Sequence, residues 1–260
     1  MKFLDIHIHG RYAEATSPHA TIVNIEKSAK QKGLDIVATG DALHPNWFSE
    51  LKAYLKVNDG TGLLEGKYGV KFILSVEVSN NFKEDGKQKI IHNVVCCRSF
   101  QDMDTLRRML YRYGNIDSDG RPSISLTCEQ FVNYVKDTIK SSFIFPAHIW
   151  TPHTSLLGQD HGFNSIQECY KTAARHIFAL ETGLSSDIEM NAMFPETKKY
   201  TLISNSDAHS ATAQRIGREA TVLSLEEATY EKIFDAIKLR SKDFVGTIEV
   251  PPEYGKYHLS

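Results

Sequence analysis

Two short apolar runs, one near each end of the chain, close on a pair of metal-binding side chains with a single residue between them. They are His7-Ile8-His9 in KFLDIHIH and Asp207-Ala208-His209 in TLISNSDAH. On a β-strand, residues two apart point to the same face, so each pair offers two ligands side by side. A fold that uses both pairs in one cluster must bring the first and last strand ends together. Three further runs end in the same way, LDIVATGD at Asp41, VKFILSVE at Glu77 and FIFPAH at His148, while His92 lies inside IIHNVVCC. Imidazole and carboxylate donors suit Zn²⁺, Mn²⁺ or Fe²⁺, and this set exceeds the three or four protein ligands of a single catalytic zinc. Two or three divalent ions are therefore expected, zinc first, with manganese or iron as alternatives.

Apolar segments recur at about 3–9, 34–39, 71–78, 90–97, 143–148, 176–181 and 200–206, with polar or helix-like stretches between most of them. That alternation predicts an α/β fold, a barrel or a parallel-rich sheet. In a barrel, active sites lie at the C-terminal strand ends, where the ligand candidates fall. Helices are expected over 21–31, 102–113, 128–140 and 225–240, the last two opened by capping boxes Thr127-x-x-Gln130 and Ser224-x-x-Glu227. The segments 44–69, 78–89 and 114–126, rich in Gly, Asp, Asn and Lys, read as long loops of the functional kind. With 260 residues and 41% hydrophobic content, one core suffices. We expect one catalytic unit over 1–248 and an extended tail over 249–260.

Thirty basic and 32 acidic residues leave a formal charge of -2, so no global field draws in nucleic acid and any such binding rests on local patches. Cys96 and Cys97 are adjacent, and Cys128 and Cys169 stand alone. None has metal-finger spacing, and buried reduced thiols are expected. No apolar run approaches the roughly 20 residues of a membrane span, and the chain enters its first strand without a basic leader. The expected location is cytoplasmic, with no membrane partner. G-x-S-x-G, Walker and G-x-G-x-x-G motifs are absent, which argues against serine-nucleophile and dinucleotide or nucleoside triphosphate chemistry.

Around the ligand set, Asp207 and Glu77 are the carboxylates on which catalysis is expected to depend. His44, three residues after Asp41, reads as a further ligand, a proton donor or a solvated loop residue. Glu181, closing FALETG, faces the same strand ends and is placed to orient ligands from behind. Arg11, directly after the first pair, and Arg215 and Arg218, in QRIGRE, are candidates for holding phosphate, a guanidinium being matched to paired oxygens. Trp47 and Trp150 read as rim packing first, with stacking on an extruded base as the alternative.

These motifs resemble a known family. HIHGRY, TGD at 39–41, VEV around Glu77, PAH at 146–148 and SNSDAH at 204–209 look like the successive motifs of PHP domains, the polymerase and histidinol phosphatase class of metal-dependent phosphoesterases. HIHGRYAEATS, GLDIVATGDALHPNW, GRPSISLT, PAHIWTPHTSLLG, LETGLSSDIEMN, RIGREA and GKYHLS resemble, in order, the endonuclease Q branch. The resemblance implies a distorted (β/α)7 barrel of PHP type with a metal cluster at the C-terminal ends of the strands. Its ligand positions fall on His7, His9, Asp41, Glu77, His92, His148, Asp207 and His209. The implied activity is nicking of DNA on the 5′ side of deaminated or damaged bases, with damaged duplex or single-stranded DNA as partner. Longer members continue into a C-terminal zinc and DNA-recognition region that has no counterpart in these 260 residues. The alternative is a phosphatase or phosphodiesterase of the same family acting on a small molecule.

Overall fold

Each of the seven apolar segments folds as a strand in the computed structural model, which describes residues 1–259. These strands are β1 (Lys2–Asp5), β2 (Ile36–Ala38), β5 (Lys71–Glu84), β6 (Lys87–Cys97), β8 (Phe143–Pro146), β9 (Ala179–Glu181) and β10 (Thr201–Ile203). Five more join them: β3 (Lys56–Asn58), β4 (Leu63–Glu65), β7 (Ser123–Ile124), β11 (Ala220–Leu223) and β12 (Phe244–Ile248). The α-helices are α1 (Ile22–Lys32), α2 (Pro45–Tyr54), α3 (Phe100–Leu110), α4 (Cys128–Thr138), α5 (Ile166–Tyr170), α6 (Ile188–Ala192) and α7 (Tyr230–Leu239).

Local chemistry accounts for most helix ends. The Thr127–Gln130 capping box forms as expected and opens α4, whose Phe131, Val132 and Val135 are buried. Thr21 caps α1, and Gly33, in the left-handed region at φ 88°, ends it. Three expectations fail. The segment 44–69 is not a loop: Pro45 starts α2, and β3 pairs antiparallel with β4. The segment 78–89 is the arm of a long hairpin, in which β5 turns through Asp85-Gly86, both at positive φ, into β6. Residues 225–229 precede the last helix, because the Thr229 side chain, not Ser224, accepts from Lys232 N–H.

The sheet is mixed. β1, β2 and β5 run parallel, whereas β5–β6, β6–β8 and β1–β11 are antiparallel. A tight hairpin cannot join parallel strands, so the β5–β6 turn alone breaks a regular β/α alternation. Ten strands form one sheet, ordered β12-β11-β1-β2-β5-β4-β3 with β6 and β7 branching from β5 and β8 from β6. β9 and β10 make a separate parallel pair. The two sheets meet through a few backbone contacts beyond the strand ends. Ile149 N–H donates to Glu181 O at 3.1 Å, and Ile8 bridges Ala208 in parallel, with Asp207 N–H donating to His7 O at 3.0 Å. Buried Asp5 reinforces the second junction by accepting from Ser206 N–H at 3.0 Å and Gly217 N–H at 2.8 Å.

All four cysteines are free and buried, as expected. The tail is not uniformly extended: a short 3-10 turn spans Pro252–Tyr254, and Ser260 lies outside the described residues. Among the described residues, no helix is long and apolar enough to cross a membrane.

Candidate metal centre

Glu77 sits near the middle of β5, buried, and His92 of β6 with the segments just beyond β1, β8 and β10 supply the side chains clustered with it. Three groups of side chains each place one donor atom from every member within 4.8 Å of the others: His7–His9–Glu77, His9–Asp207–His209 and Glu77–His92–His148. Glu77 and His9 are shared between groups, so the seven residues form one connected cluster. Nε2 of His7, Nε2 of His9, Oε2 of Glu77 and Oδ1 of Asp207 are buried without a hydrogen-bond partner. An unsatisfied buried polar atom costs on the order of 1–3 kcal/mol, and here four face one another. His9 Nε2 lies 3.2 Å from Asp207 Oδ1 and 3.3 Å from Glu77 Oε2, and His7 Nε2 lies 3.6 Å from Asp207 Oδ1 and from the other Glu77 oxygen, Oε1. Such a donor set fits bound divalent cations.

The rings are aimed from behind. His7 Nδ1 lies 2.9 Å from Glu181 Oε2, and His9 Nδ1 lies 2.9 Å from Asp41 Oδ1. A carboxylate can only accept, so each Nδ1 carries a hydrogen, and a cation in the cluster would meet each Nε2 as a lone pair. Glu181 also accepts from His148 N–H at 2.7 Å and Asn205 Nδ2 at 2.8 Å, which ties three strand ends to one carboxylate. This is the orienting position expected of Glu181.

Asp41 differs from expectation. Both of its oxygens are engaged, one by His9 and the other by Gly10 N–H at 2.5 Å, so it stands behind His9 and outside the three groups. The cause is the left-handed turn at Gly40 and Asp41, φ 59° and 49°, which folds the carboxylate back against the first strand. A Cβ on Gly40 would lie 2.2 Å from Ile8 O, so only glycine permits that approach. Asp41, His148 and Asp207 all have positive φ, at 49°, 32° and 46°. Three strands thus end in strained backbone at the cluster, at roughly 1–3 kcal/mol each.

Charge distribution in the cluster is steep. Burial works against ionisation of Glu77 and Asp207, but the surrounding imidazoles outweigh it and hold both well below the usual carboxylate range. Burial likewise works against charged His7 and His9, yet the adjacent carboxylates raise both. His92 and His209 are lowered, chiefly by burial. The cluster thus demands positive charge, which a cation can supply in place of protons.

Several other candidates lie elsewhere. His44, proposed as ligand or proton donor, is buried against the Tyr12 ring, with centroids 4.4 Å apart and planes 14° from parallel, and belongs to none of the three groups. Arg11 is held by Glu50 and Tyr12 rather than being free for phosphate. Trp47 is fully buried beneath Gly10 and donates to Gly40 O at 2.9 Å, which excludes base stacking. Trp150 is half-buried, packed edge-on to Phe194 and donating to Asn191 at 2.9 Å, and it lines a cleft with His148, Asp207, His209 and Arg218. Arg218 donates from Nε and Nη2 to Ser206 O at 2.9 and 2.8 Å, while Arg215 is exposed on the same turn. Sequence reasoning missed Arg121, whose Nη1 reaches 3.6 Å from Glu77 Oε2. The signal available was its place in the Gly-Arg-Pro of a long loop already marked as functional.

No family model matches the chain. Among solved structures, it is similar to endonuclease Q from Pyrococcus furiosus, described as a lesion-specific endonuclease: 34% identity, TM-score 0.86, covering 98% of this chain and 60% of that one. It is equally similar to an endonuclease Q complex with a 27-mer duplex carrying an abasic lesion at the active site: 35% identity, TM-score 0.86, covering 99% of this chain and 62% of that one. The chain therefore spans about 60% of these relatives' length. A protein described as a metal-dependent phosphoesterase, from Bifidobacterium adolescentis, shares the fold at 13% identity and TM-score 0.51, over 92% of this chain and 96% of that one.

Proposed function

Taking its similarity to endonuclease Q as premise, we propose that the chain is the metal-dependent phosphodiesterase unit of a DNA-nicking enzyme that cuts on the 5′ side of deaminated or otherwise damaged bases. The observation that carries this reading is the convergence of four unpartnered buried atoms, on His7, His9, Glu77 and Asp207, at the strand ends. We read the seven strands as a distorted (β/α)7 barrel whose two sheets meet at this centre, with residues 1–248 as the catalytic unit. DNA as partner is supported by the related endonuclease Q complex, which holds a duplex with its lesion at the active site.

Divalent ions held by His7, His9, Glu77, His92, His148, Asp207 and His209, zinc being the first expectation, would polarise a phosphodiester and acidify an attacking water. The chain's own part is positioning. Glu181 and Asp41 fix the His7 and His9 rings, and the left-handed turns fix the approach of Asp207 and His148. Arg218 and Trp150 line a cleft of about 210 Å³ that opens beside His209.

The test is a nicking assay on duplexes carrying one uracil, hypoxanthine or abasic site, run beside bis-p-nitrophenyl phosphate, with metal content measured on the same sample. Incision 5′ of the lesion by metal-loaded protein is the expected result. Turnover of the small ester alone would keep the phosphoesterase and remove DNA as substrate. No turnover of any ester would sink the proposal.

A further inference from the structure

The turn Asp119-Gly120-Arg121-Pro122 is held rigidly over the metal centre. Gly120 N–H donates to Tyr12 O at 3.0 Å, Arg121 N–H to Asp119 Oδ1 at 2.8 Å, and Ser79 N–H of β5 to Pro122 O at 3.0 Å. Gly120 packs so closely that a Cβ there would lie 2.6 Å from Asp41 Cγ. From this turn the Arg121 side chain, 27% exposed, enters an open polar cleft of about 490 Å³ shared with His92, Ser79, Ser123 and Thr154.

Its guanidinium differs from the other arginines near the site. Arg11 is paired with Glu50, and Arg218 spends two donors on Ser206 O. Arg121 makes no side-chain hydrogen bond among the described residues, and its ion-pair partner, Glu77 Oε2, stands 3.6 Å away. A planar cation with five donors, mostly withdrawn from water and bonded to nothing, calls for an anion with paired oxygens. Glu77 does not fill that role, since four imidazoles already crowd it, His7, His92 and His148 at Oε1 and His9 at Oε2.

We infer that Arg121 is a catalytic residue whose guanidinium grips the non-bridging oxygens of the phosphodiester bound at the metal centre, from the His92 side of the site. This rests on the phosphoester reading above. It assigns the Gly-Arg-Pro loop the task of holding the reacting phosphate, for which sequence reasoning had named Arg11, Arg215 and Arg218.

R121A, R121Q and R121K, each loaded with metal, test it. R121A is expected to fold and bind the same metal content while kcat falls roughly 100-fold, the scale for removing one preorganised donor. Added guanidine hydrochloride, at millimolar concentration, should restore part of the R121A rate, which a merely structural residue would not allow. R121K should recover less than the native rate, because an ammonium cannot bond two oxygens in a fork. R121A with native kcat overturns the inference, as does loss of metal in step with activity, which would make Arg121 a support for Glu77. If the native chain cleaves no ester, the phosphoester reading fails separately. Calorimetric titration with inorganic phosphate then still decides: weaker binding by R121Q than by the native protein supports the grip, and equal binding ends it.

Discussion

Replacing Glu181 by glutamine changes one oxygen to an NH2 group and touches none of the donors in the three groups, yet it should weaken metal binding. Glu181 receives three donors: His7 Nδ1, with 3.0 and 2.9 Å to its two oxygens, His148 N–H at 2.7 Å on Oε2, and Asn205 Nδ2 at 2.8 Å on Oε1. A glutamine must leave one of those positions facing an N–H. The His148 amide is backbone and cannot rotate away. Asn205 cannot flip cheaply either, since its Oδ1 accepts from Ile6 N–H at 2.8 Å. The least costly arrangement keeps the oxygen on His148 and turns the new NH2 toward Asn205 and His7. His7 Nδ1 still has the retained oxygen at 2.9 Å, but it now also faces the new NH2 at the 3.0 Å position and loses the carboxylate charge, so the tautomer with its hydrogen on Nε2, which is no ligand, gains population. Losing hydrogen bonds to a charged acceptor costs about 1.5–3 kcal/mol of stability. Disturbing the partner behind a metal-bound histidine lowers metal affinity about 10–100-fold, or about 1.4–2.7 kcal/mol. Calorimetric zinc titration of E181Q and native protein measures this, and excess metal should restore part of the lost activity. Native affinity in E181Q would refute the argument that the carboxylate sets the His7 tautomer.

Asp207→Asn should retain native far-ultraviolet circular dichroism yet lose at least ~100-fold in turnover, because it removes charge from preorganised electrostatic stabilisation; native turnover would take Asp207 out of the mechanism. Dialysis against EDTA should abolish activity and lower Tm, since the four facing polar atoms lose their partner; unchanged activity and Tm at verified metal removal would argue for metal-free chemistry. Burial, with the charge of Glu249 nearby, raises Glu219 from 4.5 to about 8. Its folded pKa exceeds its unfolded one, so native stability should fall as pH rises across that window, at about 1.4 kcal/mol per unit at most. Glu219→Gln removes that loss, and its Tm relative to native should climb between pH 5 and pH 9; a pH-independent difference would contradict the raised pKa.

The ligand pairs, the seven strand segments, the Thr127 cap and the buried thiols were legible in the sequence because each depends on neighbours only a few residues away. Strand periodicity puts His7 with His9, and cap chemistry is complete within one helical turn. The contents of 44–69 were not legible because β3 is short, edge-placed and mostly exposed, so it carries no apolar signature. Asp85-Gly86 was a local hairpin signal, but the charged arm around it masked the strands. At 225–240, Ser224 and Glu227 mimicked a cap that Thr229 provides instead. What only the tertiary structure decided is which oxygen faces which donor. His7 meets Glu181 across 174 positions, and Ile6 meets Asn205 across 199. Asp41 turns behind His9 only because Gly40 can press against Ile8 O, and Arg121 reaches Glu77 only because its loop is pinned to Tyr12 and β5. Ligand type is a property of the residue and survives in the string; ligand role depends on hydrogen-bond partners that only chain packing brings within 3 Å.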